Sequence, residues 1–215
     1  MPKRPAGCPR GDQRWSSFLR KHAKAIIACD FFVAVTVTFR LLYVFVVIHH
    51  SSRRLMHFNV TEHPTSAWTL EQLRETVGYE RSYRYLIHDR DSIFAKSLDE
   101  SIARLGMTVL KSPFQTPKAN AFCERLIGTI RRECLDWMIP LSQSHLQAIL
   151  RVWVAHYNQA RPHMALGPGA PDPPSDLRLP QTRQSRHRLG ERLVVHAKSV
   201  LGGLHHEYSY KPEPA

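Results

Sequence analysis

Two aspartates and a glutamate stand where solvent-facing acids are not expected: Asp30, Asp89 and Glu124, with 34 residues between the last two. Asp30 interrupts the apolar run Ile26-Ile27-Ala28-Cys29-Asp30-Phe31-Phe32-Val33. An ionised carboxylate inside such a run costs several kcal/mol unless it is paired, hydrogen-bonded or bound to a metal. Asp89 closes a second apolar stretch, Tyr85-Leu86-Ile87-His88, and acids at the carboxyl ends of strands are well placed to meet a ligand. Hard oxygen donors on two strands and a helix suit Mg²⁺ or Mn²⁺. Taken singly, each acid has a plainer reading. Asp30 could pair with an arginine, Asp89 could open a turn through Asp89-Arg90-Asp91-Ser92, and Glu124 could be an exposed surface residue. Their conjunction on the right kinds of element is what points to a metal site.

The elements that must carry them follow from periodicity. Strands are expected over 25–37, 40–49 and 53–60, the second apolar at every position from Leu41 to Ile48, as a strand covered on both faces would be. A helix over 65–77 begins at Thr65 or Ser66, and a fourth strand, 83–88, ends at Asp89. A helix over 94–105 and a short strand, 107–110, come next. Pro113 and Pro117 then require a loop before a long helix over 119–138, which Pro140 ends, and a last helix over 142–158. This order predicts an α/β fold with a mixed five-stranded sheet flanked by helices. On the 119–138 helix, Phe122, Leu126, Ile130 and Trp137 share one arc, while Glu124, Asn120, Gly128 and Arg131 lie opposite. Glu133 falls on the apolar arc and does not fit that division.

Composition bounds the partners. The formal charge is +12, and residues 1–25 alone carry seven Lys/Arg against one Asp. A polyanion partner suits that excess, and a merely solubilising basic surface is the alternative. Residues 1–22 are read as a basic flexible arm, 23–160 as the core, 161–191 as a Pro/Arg-rich linker and 192–215 as a C-terminal hairpin tail around Gly202-Gly203. Four cysteines without a CxxC pair signal neither a zinc knuckle nor a disulfide framework. Asp30 and Arg40 interrupt the run from Ile26 to Ile48, so it reads as two strands and not as a membrane span. With no signal peptide in the basic N-terminus, the expected location is cytoplasmic.

Several spaced motifs resemble the integrase core of bacterial insertion-sequence transposases, relatives of retroviral integrases. They are Ala28-Cys29-Asp30-Phe31-Phe32, then Tyr85 to Phe94 through His88-Asp89-Arg90-Asp91, and Asn120-Ala121-Phe122-Cys123-Glu124-Arg125. Gly128 to Asp136 and His156-Tyr157-Asn158-Gln159-Ala160-Arg161-Pro162-His163 resemble the same family. The resemblance implies an RNase H-like fold and a triad of Asp30, Asp89 and Glu124 holding two Mg²⁺ or Mn²⁺ ions. It implies DNA cleavage and strand transfer, with DNA (transposon ends and target) as partner and a homo-oligomer assembled on it. Lys118, Asn120, Arg125, Arg131 and Arg132 are the expected DNA contacts. Asp91 is a second acid beside Asp89 where many relatives carry a small residue. Such transposases carry N-terminal helix-turn-helix regions, and residues 1–25 are not expected to form one. A non-catalytic DNA-binding remnant is therefore the second reading, and a nuclease of the same fold the third.

Overall fold

The structure is a computed structural model that describes residues 11–78, 83–89, 96–111, 120–174 and 193–212. In chain order the elements are α1 (Gly11–His22), β1 (Ile26–Val35), β2 (Leu41–His49), β3 (Leu55–Thr61), α2 (Ser66–Val77), β4 (Tyr85–His88) and α3 (Lys96–Arg104). There follow β5 (Thr108–Lys111), α4 (Ala121–Glu133), α5 (Gln143–Gln159), β6 (Ala165–Pro168), β7 (Leu193–Val200) and β8 (His205–Pro212). Five strands form one sheet in the order β3-β2-β1-β4-β5, and β7 and β8 form a separate hairpin. The chain divides into two compact units, one within residues 1–32 and 43–128, the other within 33–42 and 129–215.

The sheet is mixed, as the element order predicts. The β1–β2 connection is too short for a crossover, so those strands return antiparallel, and β2 pairs antiparallel with β3 from Tyr43 opposite Thr61. β4 runs parallel to β1, with Ile26, Ile27 and Ala28 opposite Tyr85, Leu86 and Ile87, and parallel to β5 on its other side. Those parallel steps require crossovers, which α2 and α3 supply. Burial of Val44 to Ile48 follows from the central place of β2 between β3 and β1. Within the first unit, Ile27, Cys29, Phe45, Val47, Leu73, Leu86, Leu98, Ile102 and Met107 form the core cluster. α2 starts where the sequence predicts, because the Thr65 hydroxyl accepts the Trp68 N–H at 3.2 Å.

Two expectations need correction. The arm read as flexible over 1–22 is helical from Gly11 to His22. Trp15, Phe18 and Leu19 fall at helical spacing, and Phe18 meets the Tyr85 ring edge-on at 5.2 Å, so the segment has a face to bury despite its charge. The long helix read over 119–138 is shorter: α4 ends at Glu133 and a 3-10 turn, Leu135–Trp137, follows. That break moves Trp137 off the helical arc, and the residue is 70% exposed. The hairpin tail takes the expected shape, with β7 and β8 pairing antiparallel from Val200 opposite His205. β6, a four-residue strand, stands in the segment read as linker.

Candidate active site

Each predicted acid follows a fully buried residue: Cys29 before Asp30, His88 before Asp89, Cys123 before Glu124. Asp30 and Asp89 each lie two residues beyond the last registered β1–β4 pair, Ala28 with Ile87, on strands that run the same way. Glu124 is in the first turn of α4 and is exposed, where an acid also complements the helix dipole. The two strand acids are partly buried. All three belong to the first unit.

Electrostatics ties the acids together. The Cys123 thiol is pushed well up by burial and then by the charges of Asp30, Cys29, Asp89 and Glu124. Cys29 is pushed up likewise by burial, Asp30 and Asp89. Cys123 thus feels all three carboxylates and Cys29 two of them, and both thiols stay protonated. Cys29, Cys123 and Cys134 are free thiols.

Asp30 is held from two directions. Its Oδ1 accepts the Phe31 N–H at 2.8 Å, and its Oδ2 accepts from Asn120 Nδ2 at 3.3 Å. The same Asn120 amide donates to the Cys29 carbonyl at 3.3 Å. Helical projection puts Asn120 on the outer side with Glu124; instead it is buried. It precedes the helix, where its carbonyl accepts the Glu124 N–H at 3.1 Å, so the helical arc does not apply to it. Because Nδ2 faces two acceptors, the amide orientation is fixed. Asn120 Oδ1 is then left buried with no partner among the described residues.

Asp89 is supported by two groups that sequence reasoning did not single out. The His88 ring bridges the Asp89 carbonyl, at 2.6 Å, and the Asp99 carboxylate on α3, at 2.9 Å. A buried histidine closing a strand beside an acid was the available signal. The entry to α4 is held by a second missed group, on the β2–β3 connection. Arg53 lies over the Phe122 ring at 3.1 Å, His50 meets the same ring edge-on at 4.4 Å, and Arg53 donates to the His50 carbonyl. Burial, with the Arg53 and His49 charges, pushes His50 down to about 4. Neither His50 ring nitrogen has a hydrogen-bond partner among the described residues.

Of the expected DNA contacts, Arg125, Arg131 and Arg132 are exposed along α4. Arg131 also donates to the Val33 carbonyl at 3.1 Å. Lys118 and Asp91 lie outside the described residues. Glu133, the misfit of the projection, makes a bidentate pair with Arg161 at 2.6 and 2.7 Å. No three acid, histidine or cysteine side chains gather closely enough to hold a metal among the described residues. The donor set nevertheless fits a hard cation. Carboxylate oxygens are hard donors, and beside Asp30 the unpartnered Asn120 oxygen adds a further one. Likewise among the described residues, no helix is long and apolar enough to cross a membrane.

With this geometry in hand, the chain can be set beside known proteins. Residues 105–171 match the family model of the integrase core domain. The catalytic domain of Mos1 mariner transposase superposes with a TM-score of 0.56 at 16% identity, covering 67% of this chain and 76% of that one. The fold is RNase H-like, as in the catalytic cores of such integrases and transposases. The integrase core of HTLV-2, described in complex with magnesium in a dimeric form, superposes at a TM-score of 0.54 and 11% identity. It covers 69% of this chain and 94% of that one. In sequence, the chain is 34% identical over 108 residues to an uncharacterized 31.7 kDa protein of insertion element IS407 from Burkholderia multivorans (strain ATCC 17616 / 249). That match takes in 49% of this chain and 37% of the relative's length. The integrase-core match contains Glu124, Arg125, Arg131 and Arg132; Asp30 and Asp89 precede it. The superpositions agree with the resemblance drawn from the motifs on the fold, and the integrase-core match covers residues 105–171 of this chain.

Proposed function

We propose that this chain is the catalytic core of a metal-dependent polynucleotidyl transferase that cleaves and joins DNA in integration or transposition. Asp30, Asp89 and Glu124 act as the catalytic acids and metal ligands. The observation that carries this reading is their common influence on Cys123: three acids from two strands and a helix act on one buried point. Two Mg²⁺ or Mn²⁺ ions bound there would supply the Lewis acidity that activates water or a 3′-hydroxyl and stabilises an in-line displacement at phosphorus.

The chain's own part is to hold the acids and the DNA. Asn120 holds Asp30 by donating hydrogen bonds from its Nδ2 to the Asp30 carboxylate and to the Cys29 carbonyl before it, and His88 with Asp99 fixes the backbone at Asp89. Lys118, Arg125, Arg131 and Arg132 draw the phosphate backbone to the face that carries Glu124. In the displacement a new P–O bond forms as the opposite one breaks, and no covalent bond to the protein is made. The core extends over residues 23–160, followed by the 161–191 linker and the 192–215 tail, in a cytoplasmic protein that assembles as a homo-oligomer on transposon ends and target DNA. Transposition by a whole protein is part of the proposal, since the chain spans 37% of the insertion-element relative.

Nicking and strand-transfer assays with Mn²⁺, comparing the wild type with Glu124→Gln, test the reading. Loss of a ligand that stabilises several kcal/mol of transition-state charge lowers the rate by about 100-fold or more, while DNA binding persists. Absence of metal-dependent nicking by the wild type sinks the enzyme reading and leaves the DNA-binding remnant. Nicking without joining makes the chain a nuclease.

A further inference from the structure

The second unit presents an apolar face that the proposed chemistry does not use. Where β1 leaves the sheet, Ala34 and Thr36 point inward and Val35 and Val37 outward, so the alternation of a half-buried strand puts valines where polar residues belong. The 137–141 segment alternates in the same way, with Pro140 buried and Trp137, Ile139 and Leu141 exposed. The two stretches are joined, because Val37 N–H donates to the Pro140 carbonyl at 2.9 Å. Phe39 at the hairpin tip is 87% exposed and holds a φ of 60°, in the left-handed region that costs a non-glycine residue about 1 kcal/mol.

We infer that this face, formed by the β1–β2 tip and residues 137–141, is a self-association surface whose occupant is a second copy of this chain. Size is the first argument. Seven large apolar residues, Leu41 included, are each between 47% and 87% exposed on these two joined stretches, and apolar residues exposed together in such numbers mark an interaction site. Preorganisation is the second. The hairpin is closed by Thr36 N–H to the Arg40 carbonyl and by Arg40 N–H to Thr36 Oγ1, both at 3.0 Å. The Trp137 indole is pinned by donation to the Arg132 carbonyl at 2.9 Å, so docking orders few rotamers. Charge is the third. The rim carries both signs, Arg40 and Asp136, as suits self-pairing about a two-fold axis, whereas a phosphate backbone would select for one sign. The inference names a surface for the homo-oligomer proposed above but does not depend on the catalytic reading.

Sedimentation equilibrium of the full chain, without DNA or metal, tests it. The expected result is a reversible dimer with a dissociation constant in the micromolar range. Phe39→Asp and Trp137→Asp each weaken it by about 10-fold or more, as loss of an aromatic hot spot does. Both side chains are exposed, so each variant should keep the wild-type circular dichroism and melting profile. Val152→Asp, an exposed change on α5, leaves the dimer intact. A wild type that stays monomeric at about 100 μM overturns the inference, and so does a dimer indifferent to both aromatic changes. Binding of the wild type to lipid vesicles, lost in Phe39→Asp while the chain stays monomeric, overturns it in favour of a membrane occupant. Nicking is scored separately, so failure here is distinct from failure of the catalytic reading.

Discussion

His50 pays for its burial at low pH. Folded, it titrates at about 4, against 6.5 for the free side chain. The unfolded chain therefore takes up a proton that the folded chain resists, and stability falls as pH drops from 6.5 towards 4. The full shift corresponds to roughly 3 kcal/mol. Urea unfolding of the wild type and of His50→Leu across this window measures it. The difference between the two should grow as pH falls, with the variant showing the flatter profile; parallel profiles would remove His50 as the cause. The effect bears on the site because His50 and Arg53 both contact Phe122, two residues before Glu124.

At the scale of elements, α4 and α5 illustrate how ends are secured. α5 starts at Ser142, whose hydroxyl accepts the His145 N–H at 3.1 Å. Just past its other end, Arg161 grips Glu133, the last residue of α4, with two parallel bonds. Both side chains are roughly a quarter to a third exposed, so solvent screens the pair only in part. A double-mutant cycle on Glu133→Gln and Arg161→Lys should give a coupling of about 1–2 kcal/mol in unfolding free energy, because lysine cannot form the fork. Additive effects would mean that the pair is ornamental.

These ends also show what was legible in the sequence. Strands, crossovers and the start of α2 follow from period, composition and capping, which act locally, and the structure keeps them. The helical arc misplaces Asn120 and Trp137 because it is carried past the residues that are helical. A projection assumes the helix it is meant to test. The candidate acids stand out by the improbability of their surroundings, whereas His50 and Arg53 meet Phe122, and Asp99 meets His88, only once the chain is folded. No spacing rule announces a guanidinium over Phe122. The helix at Gly11–His22 was hidden by its charge, since its few aromatic residues matter only once Tyr85 is beside them.

For the whole molecule, charge is the property that a partner meets first. The formal +12 is unevenly spread, with +6 in residues 1–25 and +3 in each of 26–160 and 161–215. DNA affinity should fall steeply with salt through counterion release. Arg125→Ala and Arg132→Ala should each lower the slope of log affinity against log salt by about one. Arg131→Ala should lower it too, and should also reduce stability, because that guanidinium holds the Val33 carbonyl. Fluorescence anisotropy over a salt series separates these. An unchanged slope in all three variants would move the DNA path off α4.

Three times in this chain a buried residue is followed at once by a carboxylate of the candidate site: Cys29 and Asp30, His88 and Asp89, Cys123 and Glu124. Fitness costs at neighbouring codons should therefore differ in kind. In a mutational scan that scores cellular abundance beside metal-dependent nicking, substitutions at 29, 88 and 123 should lower both readouts. Conservative changes at 30, 89 and 124 should spare abundance and abolish nicking. The site would then be written in such a map as three adjacent pairs, the first of each pair setting how much protein there is and the second what it can do.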